Sequence, residues 1–383
     1  MTVDRRLRSG EAPLLAMACV WLLTAGFILL AALLWPQPAQ AQGTAGFLMA
    51  ALSSGFLLAV VIFAAGQTAW RLLGREACLA TCLLLPLNPA VLCAFSPGAD
   101  GPSAWPLAAT ALAVAFLSGR AAARGAALAG LAMAAGVVLQ PGLWPVAGAI
   151  AALLVARWLR DGRAAAEFSA YLKGGTATAL PLLLVQHLLG TSGTGMAAAL
   201  AAGAGLAVLL LGTLALQRAT RLAPGLLAGA MAAVAATALC AAMLTASMSG
   251  MTPNLVLSLA PAPLVVLIPA ILALGACLYL ASHNEAWLRR WWRDYSAVLV
   301  AALLAALMQP AVAAVAALLA VMPLGWLAAQ LLFMWGRTRR VGWWPAPFAA
   351  ALIGAGAFGA AANAGPAENA GLTVIAYADT VLR

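Results

Sequence analysis

Residues 13–43 read PLLAMACVWLLTAGFILLAALLWPQPAQAQG, a long apolar run followed by Pro, Gln and small residues. The hydrophobic core of a secretory signal peptide spans about 7–15 residues, whereas the run from Pro13 to Trp35 is long enough to cross a bilayer. Ala39-Gln40-Ala41 still has the small-x-small pattern of a cleavage site, so cleavage stays an alternative. Length favours an uncleaved first helix, which makes Pro36–Ala45 the first external loop.

The composition extends this interpretation to the whole chain of 383 residues, which is 65% hydrophobic and 8% charged. Soluble domains carry about a quarter charged residues, so a soluble protein is excluded. We predict an all-α, polytopic transmembrane bundle of about thirteen spans, with a range of 11–13. The expected spans are 13–35, 46–70, 77–95, 103–118, 122–140, 142–159, 170–190, 195–217, 223–246, 255–281, 295–309, 311–335 and 343–362.

The basic residues predict the orientation of these spans. Clusters of arginine precede the first span and follow every second one, so they all lie on one face. The positive-inside rule makes that face cytoplasmic and places the N-terminus inside. We expect one transmembrane domain over residues 1–362 and an external tail over 363–383, in a bacterial inner membrane. The net charge of +10 then reflects topology and attraction to anionic lipid rather than nucleic-acid binding.

Few side chains on the predicted outer face can carry chemistry. Asp100 lies in the Pro- and Gly-rich external loop SPGADGPS, and we consider it both as a site acid and as a solvated turn residue. We expect His187 to lie near the membrane interface and His283 to lie at a helix end. No span has a central Asp, Glu, Lys or Arg, which argues against a proton- or sodium-driven pump.

The cysteines indicate no metal centre. All six lie in apolar runs, and Cys78 and Cys82 stand one helical turn apart without a His or acid at metal-ligand spacing. We expect them to be small buried hydrophobic residues.

The segment HNEAWLRRWWRDY, residues 283–295, alternates basic and indole groups as an interfacial helix does. Two interpretations follow, an ordinary membrane anchor and a lipid-headgroup site. The residues of the second are Arg289, Arg290, Arg293, Trp291 and Trp292.

A family resemblance covers residues 70–181. The elements are LLGRE, LLLPLNPAVL, the S-x-x-x-D element from Ser96 to Asp100, GRAAARG, AGLAMAAGVVLQPGLWP and ARWLRDGR. This order resembles the GT-C membrane glycosyltransferases, the group of the protein O-mannosyltransferases and the aminoarabinose transferases. The resemblance implies a polyprenyl-phosphate sugar donor used at the outer face of the membrane, a divalent metal in many members, and an Asp or Glu base. Asp100 matches the family's second external acidic position.

The chain also departs from this family. Its first external loop, Pro36–Ala45, has no acid, whereas the family's base lies there. Three function classes therefore stay open: a GT-C-like transferase with Asp100 as its acid, a non-catalytic scaffold or accessory subunit of a membrane complex, and a lipid or solute transporter. A transporter would show two similar halves with broken helices, and no convincing repeat is seen.

Overall fold

The computed structural model describes most of the first seven predicted spans and of spans ten to twelve. The described residues are 14–34, 44–88, 91, 94–95, 104–119, 121–140, 143–160, 164–188, 205, 209–215, 226, 230, 264–308 and 312–337. Asp100, most of the first external loop, most of spans eight and nine, span thirteen and the C-terminal tail lie outside them. Within these residues the chain is helical and contains no strand.

Ten helices have defined bounds. They are α1 (Leu14–Leu34), α2 (Thr44–Leu73), α3 (Arg75–Leu87), α4 (Ala104–Leu117), α5 (Ala122–Leu139), α6 (Trp144–Arg160), α7 (Ala165–Leu188), α8 (Leu264–His283), α9 (Ala286–Met308) and α10 (Ala313–Arg337). Among the described residues, four segments are long and apolar enough to cross a membrane, namely Leu52–Leu73, Ala122–Leu139, Ala165–Val185 and Ala313–Phe333. The prediction of an all-helical chain is confirmed for the described residues, and the four apolar segments agree with the prediction of a membrane protein.

Two helices differ in extent from the predicted spans. α3 ends at Leu87, although its span was expected to reach residue 95. Asn88 is extended (φ −82°, ψ 112°) because it precedes Pro89, whose ring disfavours the helical conformation of the residue before it. α9 begins at Ala286, nine residues before the predicted span, because the Arg- and Trp-rich segment continues the same helix.

A single glycine joins α2 to α3. Gly74 has φ +97° and ψ −176°, a conformation that side chains with a Cβ rarely adopt. Its amide donates to the Trp70 carbonyl oxygen (3.2 Å), and its own carbonyl accepts from the Cys78 amide (3.1 Å). The chain can therefore leave one helix and enter the next without a loop.

The chain divides into two compact units, Met1–Ala111 with Leu259–Arg383, and Leu112–Ser258. In the first unit α10 is the central helix, packed against α2, α3, α8 and α9. Residues 315–325 of α10 are all buried, as expected for a helix that is apolar on every side. Gly325 allows the closest approach, because a Cβ there would overlap the Thr81 side chain and backbone in α3.

The second unit is organised around the contact of α5 with α7. Most buried residues of α5 are small, namely Gly125, Ala126, Ala129, Gly130, Ala132 and Gly136, together with Met133. A Cβ at Gly174 of α7 would overlap the Ala127 backbone carbonyl. Such small residues let two helix backbones pack directly, which is the common solution where lipid provides no hydrophobic drive between helices.

Candidate membrane-interface site

The turn between α8 and α9 positions the Arg- and Trp-rich segment. Asn284 closes α8 by donating its side-chain amide to the Leu280 carbonyl oxygen (2.8 Å). α9 starts with the Arg289 amide donating to the Glu285 carbonyl oxygen (2.8 Å), and the Arg289 guanidinium also donates to the Asn284 carbonyl oxygen (3.3 Å). The acidic Glu285 beside the first turn is favourable for the helix dipole. The two helices therefore form a tight hairpin with a fixed start for α9.

Aromatic stacking holds the end of α8. The Tyr279 and His283 rings stack with centroids 4.2 Å apart, and Tyr279 lies 5.7 Å from the Trp326 ring of α10. His283 Nδ1 also lies 2.7 Å from the Ser282 hydroxyl oxygen and 3.1 Å from the Tyr279 carbonyl oxygen. His283 is thus a helix-end residue engaged locally.

One face of α9 is buried against the first unit. It carries Leu288, Trp292, Tyr295 and Leu299, which follow at helical spacing. The Tyr295 hydroxyl donates to the Leu319 carbonyl oxygen of α10 (2.5 Å). Trp292 is fully buried, and its indole N–H has no acceptor among the described residues. Trp292 therefore packs in the core, and its buried ring does not face a lipid headgroup, which was one of the two interpretations of the sequence.

The opposite face of α9 is basic over its first turns and apolar farther along. Arg289, Arg290 and Arg293 are exposed over its first two turns. Farther along, the exposed residues of the same face are Ala297, Val300 and Leu304, all apolar. Trp287 is 45% exposed, and Trp291 is half-buried because its ring stacks on Tyr295 with centroids 5.0 Å apart. We name the set Arg289, Arg290, Arg293 and Trp287 the basic rim.

The basic rim has the chemistry of a headgroup contact. Guanidinium groups bind phosphate oxygens through paired, charge-assisted hydrogen bonds, and tryptophan prefers the depth of the headgroups. The exposed residues beyond the rim are apolar, as is typical of a helix side that faces acyl chains. The alternation of basic and indole residues in the sequence had grouped Trp291 and Trp292 with the arginines. The helical spacing 288, 292, 295 and 299 is the signal that separates the buried Trp292 from the rim.

The second predicted site cannot be built from the described residues. Asp100 lies between α3 and α4, outside them, so its surroundings stay a prediction. The described residues contain no group of three or more His, Cys, Asp or Glu side chains that could hold a metal ion. The divalent metal that the GT-C resemblance implies therefore stays a prediction.

Comparison with known proteins identifies no family for this chain. No family model matches the chain, and neither the curated proteins nor the solved structures include a match.

Proposed function

We propose that the chain is a multi-pass protein of a bacterial inner membrane with a cytoplasmic N-terminus and about thirteen spans. The ends of the described helices support this topology. Basic side chains lie in the last turns of α2 (Arg71) and α6 (Arg157, Arg160), and near the starts of α3 (Arg75) and α5 (Arg124). Basic residues at alternating helix ends all reach one face of a membrane, which the positive-inside rule makes cytoplasmic.

Reporter fusions test this topology. Alkaline phosphatase, which is active only outside, should be inactive when fused after Arg163 and active when fused after Gly142. A fluorescent protein that folds in the cytoplasm should give the reverse pattern. The opposite result at both positions would reject the proposed orientation.

For its activity, we propose a GT-C-like glycosyltransferase that uses a polyprenyl-phosphate-linked sugar at the outer face of the membrane. The observation that carries this proposal is the ordered resemblance over residues 70–181, and the bounds of α3 to α7 are compatible with it. Asp100 would accept the proton of the acceptor hydroxyl while the oxygen of that hydroxyl bonds to the sugar carbon. The bond from that carbon to the lipid phosphate breaks, and the phosphate leaves with the electron pair.

A paired substitution tests the role of Asp100. Asp100→Asn should abolish transfer from a polyprenyl-phosphate donor while the protein still inserts and purifies normally. Asp161→Asn, which removes an acid from the predicted cytoplasmic side, is the matched control and should retain activity. Full transfer by Asp100→Asn would remove Asp100 from the site.

A second candidate is a non-catalytic scaffold or accessory subunit of a membrane complex. The absence of any acid from Pro36–Ala45 favours it, because the related enzymes place their base in that loop. Purification from membranes in mild detergent should then recover a stoichiometric protein partner, with no transfer activity in the isolated chain. Repeated isolation as a lone, stable monomer would count against this second function.

A further inference from the structure

Three sulfur-bearing side chains from two helices meet inside the first unit. Met17 comes from α1, and Cys78 and Cys82 come from successive turns of α3. Met17 and Cys78 are fully buried, and Cys82 is 1% exposed. Met17 and Cys82 both lie against Gly66 of α2. The sequence interpretation considered only the two cysteines, because Met17 is brought to them by the fold.

The space around Gly66 shows how closely the sulfur atoms approach α2. A Cβ on Gly66 would lie 2.7 Å from Cys82 Sγ and 3.3 Å from Met17 Sδ, so both sulfurs approach the same point on α2. Cys78 stands one helical turn before Cys82 on the same face of α3, and the Cys82 thiol points to the Ile62 carbonyl oxygen of α2 (4.0 Å). The absence of a side chain at residue 66 therefore lets the Met17 thioether and the Cys82 thiol converge on α2, with Cys78 one helical turn away on α3.

The position of Met17 is fixed by a neighbouring contact. Trp21, one turn farther along α1 on the same face, donates its indole N–H to the Gly55 carbonyl oxygen of α2 (2.8 Å). This hydrogen bond joins α1 to α2, and α1 also packs against α3. Met17 therefore faces the cysteines because of how α1 docks.

We propose that Met17, Cys78 and Cys82 form a binding site for a soft monovalent metal ion of the Cu(I) or Ag(I) class. Thiolate and thioether sulfur are the ligands that such ions select. Loss of one thiol proton on binding gives a cationic metal and one thiolate, hence a neutral complex. The second thiol and the thioether are neutral donors. A neutral complex is compatible with apolar surroundings, in which a net charge is costly.

The same surroundings select against divalent ions. Zn²⁺ in structural sites takes four ligands, with His and carboxylate among the common ones beside Cys. The described residues place no His, Asp or Glu with this cysteine pair in a group that could hold a metal ion. A three-sulfur site is therefore expected to retain Cu(I) or Ag(I) and to release Zn²⁺. This inference is independent of the transferase proposal, since it uses neither Asp100 nor the external loops.

Metal retention by the full-length protein is the direct test. The protein in detergent is loaded anaerobically with Cu(I), or with Ag(I) as a probe that does not change oxidation state, and desalted against a competing chelator. We expect about one ion per chain, release of a proton on loading, and an X-ray absorption spectrum with sulfur neighbours alone. Zn²⁺ should be lost under the same conditions.

Matched variants separate the site from simple thiol binding. Loss of a ligand-orienting neighbour typically lowers metal affinity 10- to 100-fold, so Cys78→Ser and Cys82→Ser should each lower Cu(I) affinity by about 100-fold or more. Cys277→Ser removes a buried thiol in α8, and Cys19→Ser removes an exposed one. Both are expected to bind as the unmodified chain does.

Two further variants keep the test valid if a serine variant fails to fold. Met17→Leu conserves volume and should weaken Cu(I) binding with little loss of stability. Gly66→Ala should weaken it because its Cβ enters the cluster, whereas Gly55→Ala in the same helix has nothing within 4 Å of the added Cβ and should not.

The proposal is overturned by any of three results. The first is a chain that retains no Cu(I) or Ag(I) against the chelator. The second is retention that Cys78→Ser and Cys82→Ser leave unchanged. The third is unchanged affinity in both Met17→Leu and Gly66→Ala, which would leave a two-thiol contact in place of the three-sulfur site. In the first two cases the cysteines act as packing residues only.

Discussion

Gly130 of α5 lies directly against the backbone carbonyl of Tyr171 in α7, with no room for a Cβ between them. The Tyr171 side chain turns the other way, and its hydroxyl donates to the Ala147 carbonyl oxygen of α6 (3.1 Å). A single residue of α7 thus contacts α5 through its backbone and α6 through its side chain. The packing of the second unit therefore depends on the size of residue 130.

Gly130→Ala should destabilise the second unit. The added Cβ overlaps backbone atoms, which cannot rotate away, and overpacking of this kind costs about 1–3 kcal/mol. The measurement is the unfolding midpoint of the detergent-solubilised protein. Gly148→Ala in α6 is the control, because nothing lies within 4 Å of its added Cβ, and it should leave the midpoint nearly unchanged. Equal effects of the two substitutions would contradict this packing.

Tyr295→Phe should lower the free energy of unfolding by about 0.6–1 kcal/mol. It removes the hydrogen bond to the Leu319 carbonyl oxygen and keeps the ring that stacks on Trp291. Tyr279→Phe is the matched change at a side chain that is 52% exposed and should have a smaller effect. The prediction is wrong if Tyr279→Phe proves the more damaging of the two.

Glu167→Gln should change stability by less than about 1 kcal/mol. Its carboxylate lies 3.7 Å from the Arg157 guanidinium, and both side chains are partly exposed (31% for Arg157 and 22% for Glu167). Water and salt screen such pairs. The adjacent Phe168 is 3% exposed and packs near the Trp158 ring, so Phe168→Ala should cost several times more in the same unfolding assay. A large loss in Glu167→Gln would show that the ion pair dominates this contact.

Neutralising the basic rim should weaken binding of anionic lipid. Each basic group near a headgroup contributes about 1 kcal/mol, so Arg290→Gln with Arg293→Gln should lower retention of phosphatidylglycerol roughly 30-fold. Retention of phosphatidylcholine should change little. Lipid that copurifies with the protein can be counted by native mass spectrometry at low and high salt.

The control for the rim is Arg75→Gln, which removes an exposed arginine at the start of α3. It should leave phosphatidylglycerol retention close to that of the unmodified chain. If it reduces retention as much as the double substitution does, the lipid responds to net charge and not to the α9 rim.

The sequence predicts some helices closely and others poorly, for a physical reason. α5 was expected at 122–140 and occupies Ala122–Leu139, because its apolar run ends at Gln140-Pro141-Gly142. α9 was expected at 295–309 and begins at Ala286, because hydropathy detects the part of a helix in lipid and not its extension into the headgroups. Helix extent and membrane depth are separate properties, and only the second follows from hydropathy.

Some of the site residues can likewise be predicted from the sequence, and others cannot. The exposed arginines of α9 follow from composition and charge. The burial of Trp292 depends on which face of α9 meets the first unit. The approach of Met17 to Cys82 joins residues far apart in the chain. Periodicity within one helix cannot reveal that approach, since it arises from the docking of α1 on α2.

The central position of α10 has a consequence for synthesis of the protein. It is the last of the helices with defined bounds to leave the ribosome, yet it contributes the Leu319 carbonyl oxygen that accepts from Tyr295 and the surface that covers Thr81. Until α10 is inserted, the phenol of α9 lacks this acceptor, and the α9 surface that packs against α10 stays uncovered. The earlier helices of the first unit therefore complete their packing only after the chain has been made through residue 325, so a stalled nascent chain that stops before α10 should be a ready substrate for membrane quality-control proteases.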